Sequence, residues 1–310
     1  MENSAKKPIF RDSFKALGTD INLTLILDNG EELEAAKKIS EELRQFYKEK
    51  ELVFSRFNPD SELSKLNRNL NQFQKASFDI INLAKSSLYF HKKTKGYFDP
   101  RILETLENIG YGKTFKDSDF IINKESKNPK SLTNKLDEDL KIRVNEIFLG
   151  NRVDFSGIAK GYITDQVSLL LKSKGRGNFL LNSGGDMFAS GSDQFGEKWK
   201  ISVEGIPEER FYFNIQNQAV ATSGVTRRKW EKNGKRYHHL INPMNPRAFL
   251  FDLKSVTVIA KTTEEADVLA KTLFLMGKKE GLNFSSKEKI KSIFLDRGGN
   301  LFLSSNFSGQ

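Results

Sequence analysis

Two glycine-containing turns in this sequence have the residue types of a phosphate-binding site. In the first, Asp154 to Tyr162, a carboxylate ends a predicted strand, small residues follow, and Lys160 lies in the first turn of a predicted helix. A helix N-terminus presents unpaired N–H groups and a partial positive charge, which favour phosphate oxygens. The second is Ser183-Gly184-Gly185-Asp186, after a predicted buried strand. Glycine turns are common, so each segment also has a purely structural interpretation.

One acidic residue lies on a helix whose other faces are largely apolar. The predicted helix begins with Thr262 and Glu265 at capping-box spacing and ends at Gly277. Asp267 lies one turn into it, and Lys271 follows four residues later. An exposed ion pair between these two side chains is one interpretation, and it would contribute roughly 0.2–0.5 kcal/mol. A metal-binding carboxylate on a buried helix is the other, and periodicity does not choose between them.

A locally basic segment lies at residues 227–237. Its cations are Arg227, Arg228, Lys229, Lys232, Lys235 and Arg236, with Glu231 as the acid and with Trp230 and Tyr237 interleaved. We interpret it as a basic hairpin near a phosphate site, and a nucleic-acid surface is the less favoured alternative. His238 and His239 follow directly, and their spacing is compatible with a structural or a functional histidine.

Composition excludes several classes of function. The chain has 310 residues, no Cys, three His and 25 Phe. Without Cys there are no disulfides, thiolate zinc sites, iron–sulfur clusters or cysteine nucleophiles. The net charge of +10 favours anionic partners, although Lys and Glu alternate through most of the chain as on an ordinary solvated surface.

The sequence contains no membrane-spanning or leader segment as it stands. No run of about 18 apolar residues occurs, so no transmembrane helix is predicted. The first residues, Met1 to Phe14, are charged and lack the apolar core of a signal peptide. We therefore expect a cytoplasmic protein, with an exported one as the alternative if a leader has been trimmed.

The order of predicted helices and strands indicates an α+β fold. A doubly wound α/β fold is less favoured, because helices and strands do not alternate regularly. Strands are predicted at 19–27, 178–182, 198–204, 211–215, 219–223 and 255–260, and hairpins at 143–154 and 291–304. Helices are predicted at 31–50, 76–93, 157–172 and 262–276. Residues 113–140 are polar and weakly periodic, so we interpret them as a surface excursion within a single domain, 1–310.

Taken in order, these segments resemble the ApbE-type FAD:protein FMN transferase family from Leu17 to about Gly277. The matching segments are Leu17-Gly18-Thr19, Ser55-Arg56-Phe57, Asp60 to Asn67, Gly96 to Pro100, Asp154 to Tyr162, Gly184-Gly185-Asp186, Thr222-Ser223-Gly224, His239 to Pro243 and Ala266 to Gly277. Each segment alone is unspecific, but their order and spacing together are specific. The resemblance implies an ApbE-like, T-fold-related architecture of mixed sheets with flanking helices.

The resemblance also implies an activity. Enzymes of this family split FAD with the help of a divalent metal, usually Mg²⁺, join FMN through its phosphate to a Thr or Ser hydroxyl of a target flavoprotein, and release AMP. The implied partner carries an acceptor motif similar to Asp-Gly-x-Ser/Thr-Gly-Ala-Ser/Thr, and nucleic acid is not an expected partner. Transfer of a phosphoryl group depends mainly on positioning and charge neutralisation, which suits the residues above.

By the same resemblance, His239, Asp267 and Lys160 are the catalytic candidates, and His239 would assist deprotonation of the acceptor hydroxyl or contact the diphosphate. The nucleotide-binding candidates are Leu17, Phe57, Tyr97, Phe98, Asp99, Asp154, Lys160 and Ile241. The metal candidates are Asp267, position 271, and the backbone carbonyl of Gly157, with that of Ala159 as the alternative.

Lys271 departs from the family pattern, which has Thr as a metal ligand at this position. An ammonium group cannot coordinate Mg²⁺ and repels it at close range. The metal would then bind through Asp267, a carbonyl and waters, or Lys271 would partly replace it. A third possibility is the alternative function, in which the chain is a FAD-binding protein or FAD pyrophosphatase with weak or no transferase activity. The missing Cys also removes the lipoprotein anchor of many exported relatives, which fits the cytoplasmic expectation.

Overall fold

The computed structural model of the chain describes residues 6–28, 33–111, 132, 135–226, 229–232 and 234–307. Its strands are β1 (Ile9–Ala16), β2 (Thr19–Ile26), β3 (Phe73–Lys75), β4 (Leu140–Arg143), β5 (Glu146–Leu149), β6 (Phe179–Ser183), β7 (Asp186–Ser190), β8 (Trp199–Ser202), β9 (Tyr212–Ile215), β10 (Gln218–Gly224), β11 (Lys229–Lys232), β12 (Lys235–His238), β13 (Leu253–Ala260), β14 (Lys291–Asp296) and β15 (Leu301–Leu303). Its helices are α1 (Leu33–Phe54), α2 (Glu62–Arg68), α3 (Phe78–Lys93), α4 (Leu103–Asn108), α5 (Leu136–Asp139), α6 (Ala159–Ser173) and α7 (Thr263–Lys287).

An eight-stranded sheet in the order β1-β2-β6-β7-β10-β13-β14-β15 organises the described residues. Smaller sheets are formed by β3-β5-β4, by β8-β9 and by β11-β12. The strand pairings are antiparallel within the part of the chain that the structure describes. The predicted α+β class is confirmed.

Alternate side chains of the large sheet enter two different cores, as the period of two in a strand requires. On β13, Val256 and Val258 belong to the larger core, which contains the apolar faces of α1, α6 and α7. Ile259 belongs to the smaller core, which is closed by β8 and β9. The sheet therefore has helices on one face and a small sheet on the other.

The predicted elements are largely confirmed, with differences that have physical causes. The sequence analysis did not identify β1, α2 or β7, because these segments are short or only half-buried. The helix predicted to stop at Gly277 is interrupted there, with φ 74° and ψ 175°, but helical structure continues to Lys287. The second segment is retained because Phe284 packs into the larger core.

Parts of three predicted features lie outside the described residues. These parts are residues 31–32 of the predicted helix 31–50, residues 113–131 and 133–134 of the predicted surface excursion, and Arg227, Arg228 and Asn233 of the basic segment. At the end of that excursion, Leu136 and Leu140 are buried and belong to α5 and β4. The described rest of the basic segment forms the expected hairpin, β11–β12. None of the helices in the described ranges is long and apolar enough to cross a membrane.

Helices α6 and α7 approach each other closely at their N-terminal ends. A Cβ atom built on Gly161 of α6 would lie 2.6 Å from the carbonyl oxygen of Thr263 and from Cα of Glu264. Asp165, one turn later, accepts hydrogen bonds from the backbone N–H groups of Thr263 at 2.7 Å and Glu264 at 2.9 Å. Because these N–H groups have no partner within a helix, Asp165 caps α7 from a neighbouring helix.

Replacing Gly161 with Ala should destabilise the protein, although Ala is the better helix former by about 1 kcal/mol. The new methyl group meets backbone atoms that cannot rotate away, so we expect a net loss of about 1–3 kcal/mol in the free energy of unfolding. Urea denaturation measures it. Gly177→Ala is the matched control, because nothing lies within 4 Å of its built Cβ. Equal stability of the two variants would contradict the close packing of α6 on α7.

Glu264 at the start of α7 should make stability depend on pH. Burial raises the pKa of this carboxyl from 4.5 to about 7, and the nearby carboxylates of Asp165 and Asp267 act in the same direction. The unfolded chain releases the proton near pH 4.5, so the folded state loses stability as pH rises from about 4.5 to 7. Glu264→Gln should therefore increase the free energy of unfolding by about 1–3 kcal/mol near pH 8 and have little effect near pH 4. A gain of equal size at both pH values would contradict this assignment.

Candidate functional site

Two acidic and two basic side chains converge where α6, α7 and the start of β7 meet. Lys160, in the first turn of α6, donates a hydrogen bond to Oδ2 of Asp186, the first residue of β7. Its Nζ also lies 3.9 Å from Oδ2 of Asp267 on α7. Asp186 is 2% exposed and Asp267 is 5% exposed. The sequence analysis selected Lys160 and Asp267 from separate segments, and the fold brings them together.

Burial gives this cluster unusual electrostatics. Burial and the neighbouring Asp267 carboxylate together raise the pKa of Asp186 to about 7, against the opposing effect of Lys160 and Lys271. Oδ2 of Asp267 has no hydrogen-bond partner among the described residues. A buried carboxylate oxygen without a donor is costly, so this oxygen is suited to receive a cation or a donor from a ligand.

Lys271 points toward the turn that precedes α6. Its Nζ donates a hydrogen bond of 2.7 Å to the carbonyl oxygen of Gly157. Burial lowers the pKa of Lys271, and the carboxylate of Asp267 opposes this effect. The interpretation of Asp267 and Lys271 as an exposed surface pair is therefore wrong: Asp267 is buried, and Lys271 is directed at another segment.

The turn that carries Gly157 is held by Asp154. The carboxylate of Asp154 accepts hydrogen bonds from the backbone N–H of Ser156 at 2.8 Å and from its hydroxyl at 2.9 Å. Arg56 Nε lies 3.3 Å from Oδ2 of this buried carboxylate. The N–H of Asp154 donates to the carbonyl of Pro100 at 2.7 Å. These bonds fix the direction of the Gly157 carbonyl at the entrance to α6.

Asp99 lies in a buried ion-pair network. Its carboxylate accepts hydrogen bonds from the backbone N–H, Nε and Nη2 of Arg101 at 2.9, 3.0 and 2.7 Å. Nη1 of Arg101 reaches Asp139 of α5 at 2.5 Å. The sequence analysis assigned no role to Arg101, which in the fold is the partner of Asp99. Arg101, held by Asp99, thus joins the segment around Pro100 to α5.

Aromatic rings form a second part of the site, next to Asp154. The guanidinium of Arg56 lies 4.1 Å from the ring centroid of Phe57 and 4.9 Å from that of Tyr111. Tyr111 stacks on Trp230 of the basic hairpin at 5.7 Å and 20°. The ring of His239 lies 6.4 Å from that of Tyr111. Arg56 therefore connects the acidic turn to an aromatic surface on which Phe57 is 38% exposed.

The two adjacent histidines have different environments. His238 is buried among the rings of Phe249, Phe251 and Phe274. Burial lowers its pKa to about 4, so its imidazole is neutral at physiological pH. His239 is only partly buried. His238 is thus the structural member of the pair.

The other nucleotide-binding candidates occupy more peripheral or buried positions. Leu17 has φ 52°, and its N–H donates to Oε1 of Glu51 at 2.5 Å. The hydroxyl of Tyr97 donates to Glu280 at 3.1 Å. Phe98 and Ile241 are buried. The hydrogen bonds of Leu17 and Tyr97 therefore lead to Glu51 of α1 and Glu280 of α7.

The oxygen atoms of the cluster fit a divalent cation in part. The carboxylates of Asp186 and Asp267 are the hard oxygen ligands that Mg²⁺ prefers, and Oδ2 of Asp267 has no hydrogen-bond partner within the described ranges. The Gly157 carbonyl does not fit, because Lys271 already donates to it. Ala159, the alternative carbonyl donor, is the first residue of α6. In the described part of the chain, no group of three or more His, Asp or Glu side chains is arranged to hold a metal ion.

The sequence analysis did not assign roles to Asp186, Arg56 or Tyr111. Asp186 was part of the second glycine turn, and its position directly after two glycines was the sequence feature that could have identified it as a site residue. Arg56 was part of a matching segment, but its contact with Asp154 depends on the tertiary fold. Tyr111 had no sequence signal.

Comparisons with known proteins relate the whole chain to one family. A sequence model described as the ApbE family matches residues 17–294. A FAD:protein FMN transferase of Haemophilus influenzae is 27% identical over 318 residues, covering 96% of this chain and 89% of the relative. The flavin transferase ApbE from Vibrio cholerae has a similar structure, with a TM-score of 0.79, 25% identity and coverage of 97% of this chain and 98% of that one.

A third comparison concerns the fold. The apo form of the Pseudomonas stutzeri flavinyl transferase ApbE superposes with a TM-score of 0.82 at 21% identity, covering 97% of each chain. The family match extends from the first nucleotide-binding candidate, Leu17, past Asp267 and through most of β14. This chain belongs to the ApbE family.

Proposed function

We propose that this chain transfers FMN from FAD to a Ser or Thr hydroxyl of a target flavoprotein and releases AMP. The observation that carries the proposal is the convergence of Lys160, Asp186 and Asp267 at the N-terminus of α6. Relatives named FAD:protein FMN transferase support the same activity over nearly the whole chain. Because this arrangement combines a lysine, a helix N-terminus and a carboxylate oxygen available to a ligand, it suits a diphosphate with its counter-cation.

In the proposed reaction, the acceptor hydroxyl oxygen attacks the phosphorus atom on the FMN side of the diphosphate. The bond between that phosphorus and the bridging oxygen breaks, and AMP leaves with the bridging oxygen. A phosphoester bond to the Ser or Thr forms, and the hydroxyl proton passes to a base. His239 is our proposed base, because it is the partly exposed histidine beside the aromatic surface.

The remaining roles follow from charge and exposure. Lys160 would bind a diphosphate oxygen, and Phe57 and Leu17 would contact a ring of the nucleotide. Tyr97, Phe98 and Ile241 would complete the nucleotide site, with Asp99 and Asp154 fixing the segments that line it. We propose that Mg²⁺ enters with FAD and is held by Asp267 and Asp186. When bound, it would neutralise charge that develops on the diphosphate.

A second candidate function is hydrolysis of FAD to FMN and AMP, with water in place of the acceptor hydroxyl. The observation in its favour is the position of Lys271 on the Gly157 carbonyl, which removes one oxygen donor from the site. Both functions use the same diphosphate site and differ in the nucleophile. Free FMN without a flavin-labelled acceptor would identify hydrolysis.

Replacing Asp267 with Asn should reduce transfer at least a hundredfold, because it removes the buried charge that faces Lys160 and the proposed cation. The assay mixes protein, FAD, Mg²⁺ and a domain bearing the acceptor motif, and it measures fluorescent adduct and AMP. Glu288→Gln is the matched control, since it neutralises an exposed carboxylate at the end of the same helix. Full activity of Asp267→Asn, or no adduct and no AMP from the unmodified protein, would argue against the proposed function.

Replacing His239 with Asn should slow transfer about 10²- to 10⁴-fold, the usual contribution of a general base. FAD binding should remain within about threefold, because the proposed role concerns the acceptor proton. The defect should shrink as pH rises, since deprotonation of the hydroxyl then needs less assistance. Rate measurements between about pH 6 and 9 test this, and a variant that loses FAD affinity in proportion to its rate would instead place His239 on the nucleotide.

A further inference from the structure

The ammonium of Lys271 lies at the Gly157 carbonyl, which the family resemblance makes a metal candidate. It lies on the Gly157 carbonyl at 2.7 Å, and a Cβ built on Gly157 would fall only 2.0 Å from Nζ. The side chain therefore passes directly over the glycine, where any larger residue would displace it. One turn earlier on the same helix is Asp267, whose Oδ2 has no hydrogen-bond partner among the described side chains.

The site around this ammonium contains equal numbers of acidic and basic side chains. The acidic members are Asp154, Asp186 and Asp267, and the basic members are Arg56, Lys160 and Lys271. A divalent cation that entered alone would add two positive charges to a buried site that already contains three basic side chains, and Lys271 would repel it at close range. Divalent cations should therefore bind weakly to the protein without nucleotide.

Lys271 also has donor capacity to spare. A lysine ammonium has three N–H donors, and the described contacts account for one of them, the bond to Gly157. Gly157 lies two residues before the first residue of α6, where the helix presents its own N–H groups. A diphosphate bound at that terminus would meet Lys160 and Lys271 together. Charge-assisted hydrogen bonds of this kind are among the stronger interactions with phosphate oxygens.

We propose that Lys271 is a resident cation that holds the diphosphate of FAD, so that the nucleotide binds without a divalent metal. This inference rests on the proposed function for the identity of the nucleotide. Lys271 blocks divalent cations from the Gly157 carbonyl and supplies one positive charge in their place. A metal ion, when present, enters with the nucleotide at Asp267 and Asp186.

The test measures two binding equilibria that do not require turnover. FAD affinity is determined by flavin fluorescence in EDTA and in Mg²⁺, and Mn²⁺ affinity is determined by electron paramagnetic resonance without FAD. The unmodified protein should bind FAD with affinities that differ less than about threefold between EDTA and Mg²⁺. Lys271→Thr should lose at least tenfold of its FAD affinity in EDTA, recover it in Mg²⁺, and bind Mn²⁺ at least tenfold more tightly than the unmodified protein.

Two further variants keep the test decisive. Lys271→Met removes the charge without adding an oxygen, so it should lose FAD affinity in EDTA even if the Thr variant does not fold. Lys279→Thr removes an exposed charge from the same helix and should change neither equilibrium. FAD binding by the unmodified protein that disappears in EDTA, or unchanged FAD affinity of both Lys271 variants, would overturn the inference.

The same measurements separate this inference from the proposed function. FAD binding in EDTA, combined with no transfer to an acceptor domain when Mg²⁺ is supplied, would contradict the transferase function and leave the role of Lys271 intact. FMN transfer by a protein whose FAD binding requires Mg²⁺ would support the transferase function and contradict the proposed role of Lys271. Absence of FAD binding under both conditions would overturn both.

Discussion

Two carboxylates, Asp186 and Asp267, lie buried within reach of the same ammonium group, and the geometry around the site depends on this arrangement. Neither charge is stable in a low-dielectric interior without a cation nearby. Lys160 supplies this cation because it lies in the first turn of α6. Gly161, the next residue, allows the backbone of α7 to approach closely enough to bring Asp267 near that lysine. Helix packing and site electrostatics are therefore one constraint, since moving either helix would separate the charges.

The acidic turn and the aromatic surface are connected through a single side chain. Arg56 pairs with Asp154 and lies against the rings of Phe57 and Tyr111, so its guanidinium belongs to both. Tyr111 in turn stacks on Trp230, which places the basic hairpin beside the site rather than on a separate surface. This position accounts for the aromatic residues interleaved with the hairpin's cations, because those rings face the protein. It favours a role of the hairpin beside the proposed nucleotide site over a nucleic-acid surface.

The sequence was informative where one residue type has one strong physical preference. The capping residue Thr262 predicted the start of α7, and the small-residue turn before Lys160 predicted the start of α6. Hydrophobic periodicity identified most strands of the large sheet. The contacts between Lys271 and Gly157, and between Arg101 and Asp139, span 114 and 38 residues, so only the tertiary fold establishes them. The continuation of α7 beyond Gly277 also depends on the tertiary fold, because burial of Phe284 in the larger core overrides the local stop signal of the glycine.

The network of Asp99, Arg101 and Asp139 restricts how these positions vary over evolutionary time. The guanidinium of Arg101 contacts both carboxylates, and its own side chain is 2% exposed. Substituting one member strands a charge in the interior, which commonly costs about 3–5 kcal/mol, whereas exchanging the set for well-packed apolar residues is often neutral. Natural variants should therefore retain all three residues or lose all three. Among relatives, the residues at positions 99, 101 and 139 should covary.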